Sequence, residues 1–167
     1  MKRFERKHLG IKILTTILCL LLSLTASYAR IKGLSSLRYE IEGVGTGKPG
    51  TFLVKVCIYS KKPNVTPEQI KYAAVHGVIF KGFSGDGFAS QKALAKPEIE
   101  SQKSDFFNSF WENGDYQAYA TIVNSVAGRV KISNKQYKLG AVVSVSKDSL
   151  RKYLENIGII RGLNAGF

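Results

Sequence analysis

Ten residues, Thr51–Ser60 (TFLVKVCIYS), constrain the fold more than any other stretch. Phe52, Val54, Val56 and Ile58 alternate with Leu53, Lys55, Cys57 and Tyr59. Successive strand residues point to opposite sheet faces, so one face is wholly apolar and the other is mixed. That pattern predicts a strand near the middle of a sheet. Just upstream, Leu37, Tyr39 and Ile41 alternate with Arg38, Glu40 and Glu42, which predicts a half-exposed strand. The Gly/Pro-rich GTGKPG segment between the two runs predicts a hairpin turn.

The remaining elements follow from periodicity and punctuation. Thr66, Pro67 and Gln69 are the residue types of a capped helix start. The helix is expected to reach about Phe80, with Ile70, Ala73, Ala74, Gly77 and Val78 on one face and small enough to approach a sheet closely. Gly82 is expected to end it at positive φ. A second helix is expected from Pro97 to about Trp111, stopped by Gly114. Its apolar side holds Ile99, Phe106, Phe107, Phe110 and Trp111, while Glu98, Asp105 and Glu112 mark its solvent side. DYQAYATIVN (115–124) reads as a strand. GRVKIS and QYKLGAVVSVS flank the turn Asn134–Lys135 and predict a hairpin with Tyr137, Leu139, Ala141, Val143 and Val145 inward. Ser146 opens a last helix whose apolar face is Leu150, Tyr153, Leu154 and Ile157, with Gly158 as its stop. The order ββααβββα predicts an α+β fold, a mainly antiparallel sheet with helices packed on it.

The N-terminus has the layout of an export signal. Lys2, Arg3, Arg6 and Lys7 precede an apolar run from Ile13 to Leu24, and Ser27-Tyr28-Ala29 offers small residues for cleavage. That order predicts a signal peptide over residues 1–29 and a single α+β domain over 30–167. The run is short for a membrane span, so no integral span is expected after cleavage. The leader carries five of the 25 Lys and Arg residues and one of the 12 Asp and Glu residues. The remainder holds 20 basic against 11 acidic residues, a formal charge of +9. Such a charge favours anionic partners, although it also describes an ordinary solvated basic surface. Cys19 leaves with the leader, so Cys57 has no partner within the mature chain. A buried, inert thiol is expected there, with an intermolecular disulfide as the alternative.

Several chemistries are disfavoured by spacing. Gly82, Gly85 and Gly87 follow a predicted helix in the order G-x-x-G-x-G. A dinucleotide loop needs the reverse spacing ahead of a helix, so that the helix N-terminus faces phosphate. In EGVGTGKPG, Glu42 replaces the first glycine of a P-loop and Pro49 the metal-binding hydroxyl residue. No nucleotide, cofactor or metal is therefore expected. KGFSGDGFAS reads as a mobile surface loop whose Phe83 and Phe88 tuck its ends against the core. His76 lies among small and apolar residues and reads as a packed neutral histidine. Ser84 misses the nucleophile-elbow pattern, and no catalytic residue is assigned.

Phe106 with Phe110 and Phe107 with Trp111 make two adjacent i,i+4 rows. Both rows are expected in the core. The alternative is that Trp111, with Tyr116 or Tyr119, is a partly exposed anchor for a partner. Phe167 is expected to dock the C-terminal tail on the domain. In element order, with GVGTGKPGTFLVKVCIYS as hairpin and QIKYAAVHGVIFKGF as first helix, the chain loosely resembles small periplasmic envelope-assembly domains. These stand at the N-termini of Tol-type and flagellar-collar proteins. The chain also resembles, in layout, uncharacterised secreted proteins of Gram-negative bacteria. The resemblance implies a protein-docking module. The export signal, the basic charge and the lack of a coherent catalytic set lead to the expectation of a non-catalytic envelope or surface protein, periplasmic, outer-membrane associated or secreted, that binds an envelope protein or an anionic polymer. A small secreted hydrolase of cell-wall or glycan material, and a factor acting on host or competitor cells, are the alternatives.

Overall fold

A computed structural model describes residues 33–86, 88–124 and 129–162. The expected leader, the expected docking of Phe167, and the side chain of Phe88 lie outside the described residues. Residues 33–35 are helical and belong to a unit that ends at Ser35; the rest belong to a second unit, Ser36–Phe167, described below.

The second unit is an α+β fold built on a five-stranded antiparallel sheet. Strands β1 (Arg38–Thr46) and β2 (Phe52–Ser60) form the first hairpin. β7 (Gln136–Val145) pairs along the whole of β2. On the other edge of β7 lie β5 (Ala120–Asn124), opposite Val145 to Val142, and β6 (Val130–Ser133), opposite Lys138 to Gln136. The alternation of β2 places Val54, Val56 and Ile58 fully inside, facing Val143, Ala141 and Leu139 of β7.

Helix α1 (Pro67–His76) covers that inner face. Thr66 Oγ1 accepts from the Gln69 amide (3.3 Å) and the Gln69 side chain accepts from the Thr66 amide (3.0 Å), closing the expected capping box. Tyr72 to Val75 are all buried, because α1 lies between the sheet and a second helical layer. The chain then continues as a π-helical turn, Gly77–Lys81, closed by the Gly82 amide on the Gly77 carbonyl (2.9 Å). Gly77 lets this turn approach β1: a Cβ there would come within 2.7 Å of Ile41 Cδ1.

Three expectations are corrected here. KGFSGDGFAS is a small two-stranded hairpin, β3 (Phe83–Gly85) and β4 (Phe88–Gln91), rather than a mobile loop. Gly85 is the reason it is held: its backbone rests so closely on the Gly43 carbonyl of β1 that a Cβ would overlap it. The second helix is broken into α2 (Glu98–Gln102) and α3 (Ser104–Glu112), with Lys103 non-helical at φ −117°, ψ 37°. Ser101 Oγ donates to the Glu98 carbonyl (2.9 Å), a local bond of the kind that competes with helix continuation. Asp115–Tyr119 is a 3-10 turn rather than the start of a strand. With three residues per turn, it sets Tyr116 and Tyr119 on one side, and Tyr116 reaches the core.

α3 packs Phe107 and Trp111 onto α1 and the π-helical turn that continues it. Tyr72 meets Trp111 edge-on (ring centroids 4.9 Å) and Phe80 meets Phe107 (5.0 Å). Helix α4 (Lys147–Asn156) buries Leu150 and Leu154 and lays Tyr153 beside Phe110 (5.9 Å) and Tyr119 (5.7 Å). Among the described residues no helix is long and apolar enough to cross a membrane.

Candidate functional site

Trp111 and Tyr116, two of the three candidate anchors, are core residues. Trp111 is 4% exposed and Tyr116 fully buried, with its Oη donating to the Glu68 carbonyl (3.3 Å). A partner could not reach either without unpacking α3 from α1, and this corrects the anchor alternative for both. Tyr119 is half-buried between Phe110 and Tyr153 and keeps one accessible side. The structure brings Trp111 and Tyr116 together (5.5 Å), as parts of the core.

His76, expected to be a packed histidine, sits in a relay that sequence spacing did not reveal. Tyr39 Oη of β1 lies 2.6 Å from His76 Nδ1, and His76 Nε2 lies 3.2 Å from Glu100 Oε2 of α2. With a neutral imidazole, the phenol donates to Nδ1 and Nε2–H donates to the carboxylate. The ring is enclosed by Tyr72, Phe80 and Trp111. Lys81 Nζ stands 3.7 Å over the Tyr39 ring and donates to the Tyr39 carbonyl (3.2 Å). A Tyr–His–Glu chain could in principle move a proton. Here both ends of the imidazole are engaged and Tyr39 is buried, so the relay ties β1, α1 and α2 together.

Burial above all, reinforced by the negative charge of Glu100, pushes the Tyr39 and Tyr72 phenols well above the ordinary tyrosine range. Both are protonated in the fold at any ordinary pH, whereas in the unfolded chain they ionise near pH 10. A raised folded pKa contributes stability that is fully present below the unfolded value and is lost as pH rises from there toward the folded one. Unfolding free energy is therefore expected to fall by about 2 to 3 kcal/mol per pH unit above about pH 10 for the pair. Denaturant midpoints measured from about pH 9 to about pH 11 check this; a flat profile would contradict it.

Within the second unit, the described helices lie on the Val54–Val56–Ile58 side of the sheet and leave its second face bare. On it, register aligns Glu42, Lys55 and Val142 in one row, Glu40, Cys57 and Gly140 in the next, and Arg38, Tyr59, Lys138 and Val130 in a third. Glu40 accepts from Tyr59 Oη (2.7 Å) and Lys138 Nζ (3.0 Å). These bonds hold its carboxyl below the usual range and raise the Lys138 ammonium. Lys55 pairs with Glu42 at 3.6 Å. Because Gly140 has no side chain, the centre of this face sinks into a half-open hollow of about 650 Å³. Its floor is Cys57 and Gly140, and Ser84 and Asp86 of the β3 hairpin form part of its rim.

Cys57 is thus half-buried on the open face, not in the core. Its β2 neighbours Val56 and Ile58 are buried, and the period of two turns the thiol the other way. It is expected to label with a small maleimide in the folded protein, more slowly than a free thiol and without denaturant. Labelling only after unfolding would show that the hollow is closed.

At the Tyr59 end of the same sheet, basic residues accumulate. Arg38, Lys61, Lys62, Arg129, Lys131 and Lys135 are exposed, and Lys138 is half-exposed. Arg38 and Lys138 lie over the Tyr59 ring (5.2 and 5.4 Å), and Arg129 lies over Tyr137 (5.9 Å). No Asp or Glu occurs from Arg129 to Val145; Glu40, already bonded, is the carboxylate of this end. In sequence these cations are scattered over about a hundred positions, so only strand register reveals them as a group. Compared with known proteins, the chain matches no protein-family model, no curated protein and no solved structure, so the likeness to envelope-assembly domains rests on the elements quoted for it.

Proposed function

We propose that the chain is a non-catalytic, exported envelope or surface protein that binds another envelope component through the sheet face and edge its helices leave bare. The observation that supports this reading is the β5–β6 edge. Val123, Val130 and Ile132 stand there 58%, 58% and 50% exposed, beside the basic end of the sheet. Large apolar side chains left in solvent at a charged margin are typical of a surface that meets a partner. The export-signal layout of residues 1–29 supports placement outside the cytoplasm.

The hollow suits a hydrolase less well. Glycoside hydrolysis needs a protonated carboxyl beside an ionised one. Glu40 is held ionised by Tyr59 and Lys138, an arrangement better matched to fixed charge than to proton donation.

Photo-crosslinking residues placed one at a time at Val142, on the open face, and Ile132, on the edge, test the reading in the native cell. Lys152, exposed on α4, is the control position. Discrete adducts from the first two and none from Lys152 are expected. No adduct at any position, or equal adducts at all three, would overturn it.

A further inference from the structure

The β6–β7 hairpin alternates charge and apolar surface in a way a merely solvated strand does not need. Arg129, Val130, Lys131 and Ile132 are consecutive and all exposed. Lys135 in the turn and Lys138 on β7 extend the positive charge, and Tyr59 and Tyr137 stand beside them with half-buried rings. We propose that this hairpin binds the surface of an anionic lipid bilayer, with Arg129, Lys131 and Lys135 on headgroup phosphates and Val130 and Ile132 entering the headgroup–acyl boundary. The proposal rests on the binding reading above and names the partner's chemistry.

Charge complementarity selects an anionic partner. The hairpin brings cations with no carboxylate of its own, and an anionic leaflet concentrates such segments at its surface within about one Debye length. The exposed valine and isoleucine select a bilayer over a nucleic acid. Apolar side chains between cations gain from the headgroup–acyl boundary, where long basic side chains extend back to the phosphates. A single-stranded nucleic acid would instead draw on free aromatic faces for base stacking, and a duplex is bound chiefly through its phosphates, which leaves exposed apolar side chains without a role. Here Tyr59 and Tyr137 already carry cations of their own chain. Among the described residues β6 pairs only β7, so its other edge is free; register sets Val130 on the face of Lys138 and Lys131 on the face of Tyr137, and a planar partner meets both sets of side chains edge-on.

Sedimentation with vesicles tests this, using the chain as purified from cells. Phosphatidylcholine vesicles are compared with vesicles containing about 30 mol % phosphatidylglycerol, at low and high salt. The zwitterionic vesicles report any contribution of the N-terminal apolar run; the part of the anionic increment that the basic residues of the hairpin supply is the part lost in the triple variant. Each basic residue near such a leaflet strengthens binding on the order of fivefold, so Arg129→Gln/Lys131→Gln/Lys135→Gln is expected to weaken the increment on the order of 100-fold. Val130→Ser/Ile132→Ser is expected to weaken binding to the same vesicles as well. Both variants change exposed side chains, and unchanged thermal midpoints confirm folding.

Equal binding to the two vesicle types, or an increment untouched by the triple variant, would overturn the proposal. So would tighter binding of single-stranded DNA that the triple variant abolishes and the Val/Ile variant leaves intact. If Ile132 still crosslinks to a partner in cells while the vesicles show no anionic increment, the membrane assignment falls and the binding reading stands. Loss of both removes both.

Discussion

Trp111→Ala is expected to destabilise the fold by about 3 to 5 kcal/mol, the range for deleting a large buried aromatic. The indole packs against Tyr72 and Phe110 at 4.9 Å and against Tyr116 at 5.5 Å. Its removal leaves a cavity between α1 and α3 that three rigid rings cannot close. The indole Nε1 meets no acceptor among the described residues, so Trp111→Phe keeps most of the packing while discarding an unpaired donor. That variant is expected to cost less than about 1.5 kcal/mol. Denaturant midpoints separate the two. Trp111 is also the chain's single tryptophan, so emission in the folded state is expected at the short wavelengths of a buried indole and to move red on unfolding. A Trp111→Ala protein of unchanged stability that had lost its partner would restore the anchor role that burial removes.

Gly82→Ala is the second large effect. Gly82 sits at φ 67°, ψ −175°, a region open in practice to glycine alone. A Cβ there would also collide with the Gln91 carbonyl and lie 2.9 Å from the Ala93 amide nitrogen, both backbone atoms that no rotamer change can move. Strain and displacement of β4 together are expected to cost about 2 to 4 kcal/mol. Gly158 is the internal comparison: its φ is 71°, but nothing stands within 4 Å of a Cβ. Gly158→Ala is expected to cost only the left-handed penalty of about 1 to 2 kcal/mol. Thermal unfolding of the two variants checks the ranking. An equal cost for both would mean that the β3–β4 hairpin gives way and the close approach carries no weight.

Local chemistry made much of the fold legible. The alternation in Thr51–Ser60 anticipated β2, the residues Thr66, Pro67 and Gln69 anticipated the cap of α1, and Gly114 and Gly158 anticipated helix ends. These signals act within a few residues, through side-chain periodicity and backbone hydrogen bonding, and a linear chain displays them directly. The β3–β4 hairpin has the sequence of a loop because its cause lies about forty residues away, in the Gly43 backbone against which Gly85 rests. The break at Lys103 and the 3-10 turn that buries Tyr116 were hidden in the same way.

The candidate site was less legible than the fold. Its charges and aromatics carry no spacing rule: Arg38, Tyr59, Lys138 and Val130 become neighbours only through the registers of three strand pairs. Periodicity and composition suffice for the α+β class, the inward residues of β2 and β7, and the excess of positive charge. Pairing and packing between distant elements decide that Cys57 faces a hollow, that Tyr39 meets His76, and that the cations gather around one end of the sheet. Periodicity is a property of one element, whereas register and close approach depend on how distant elements pack.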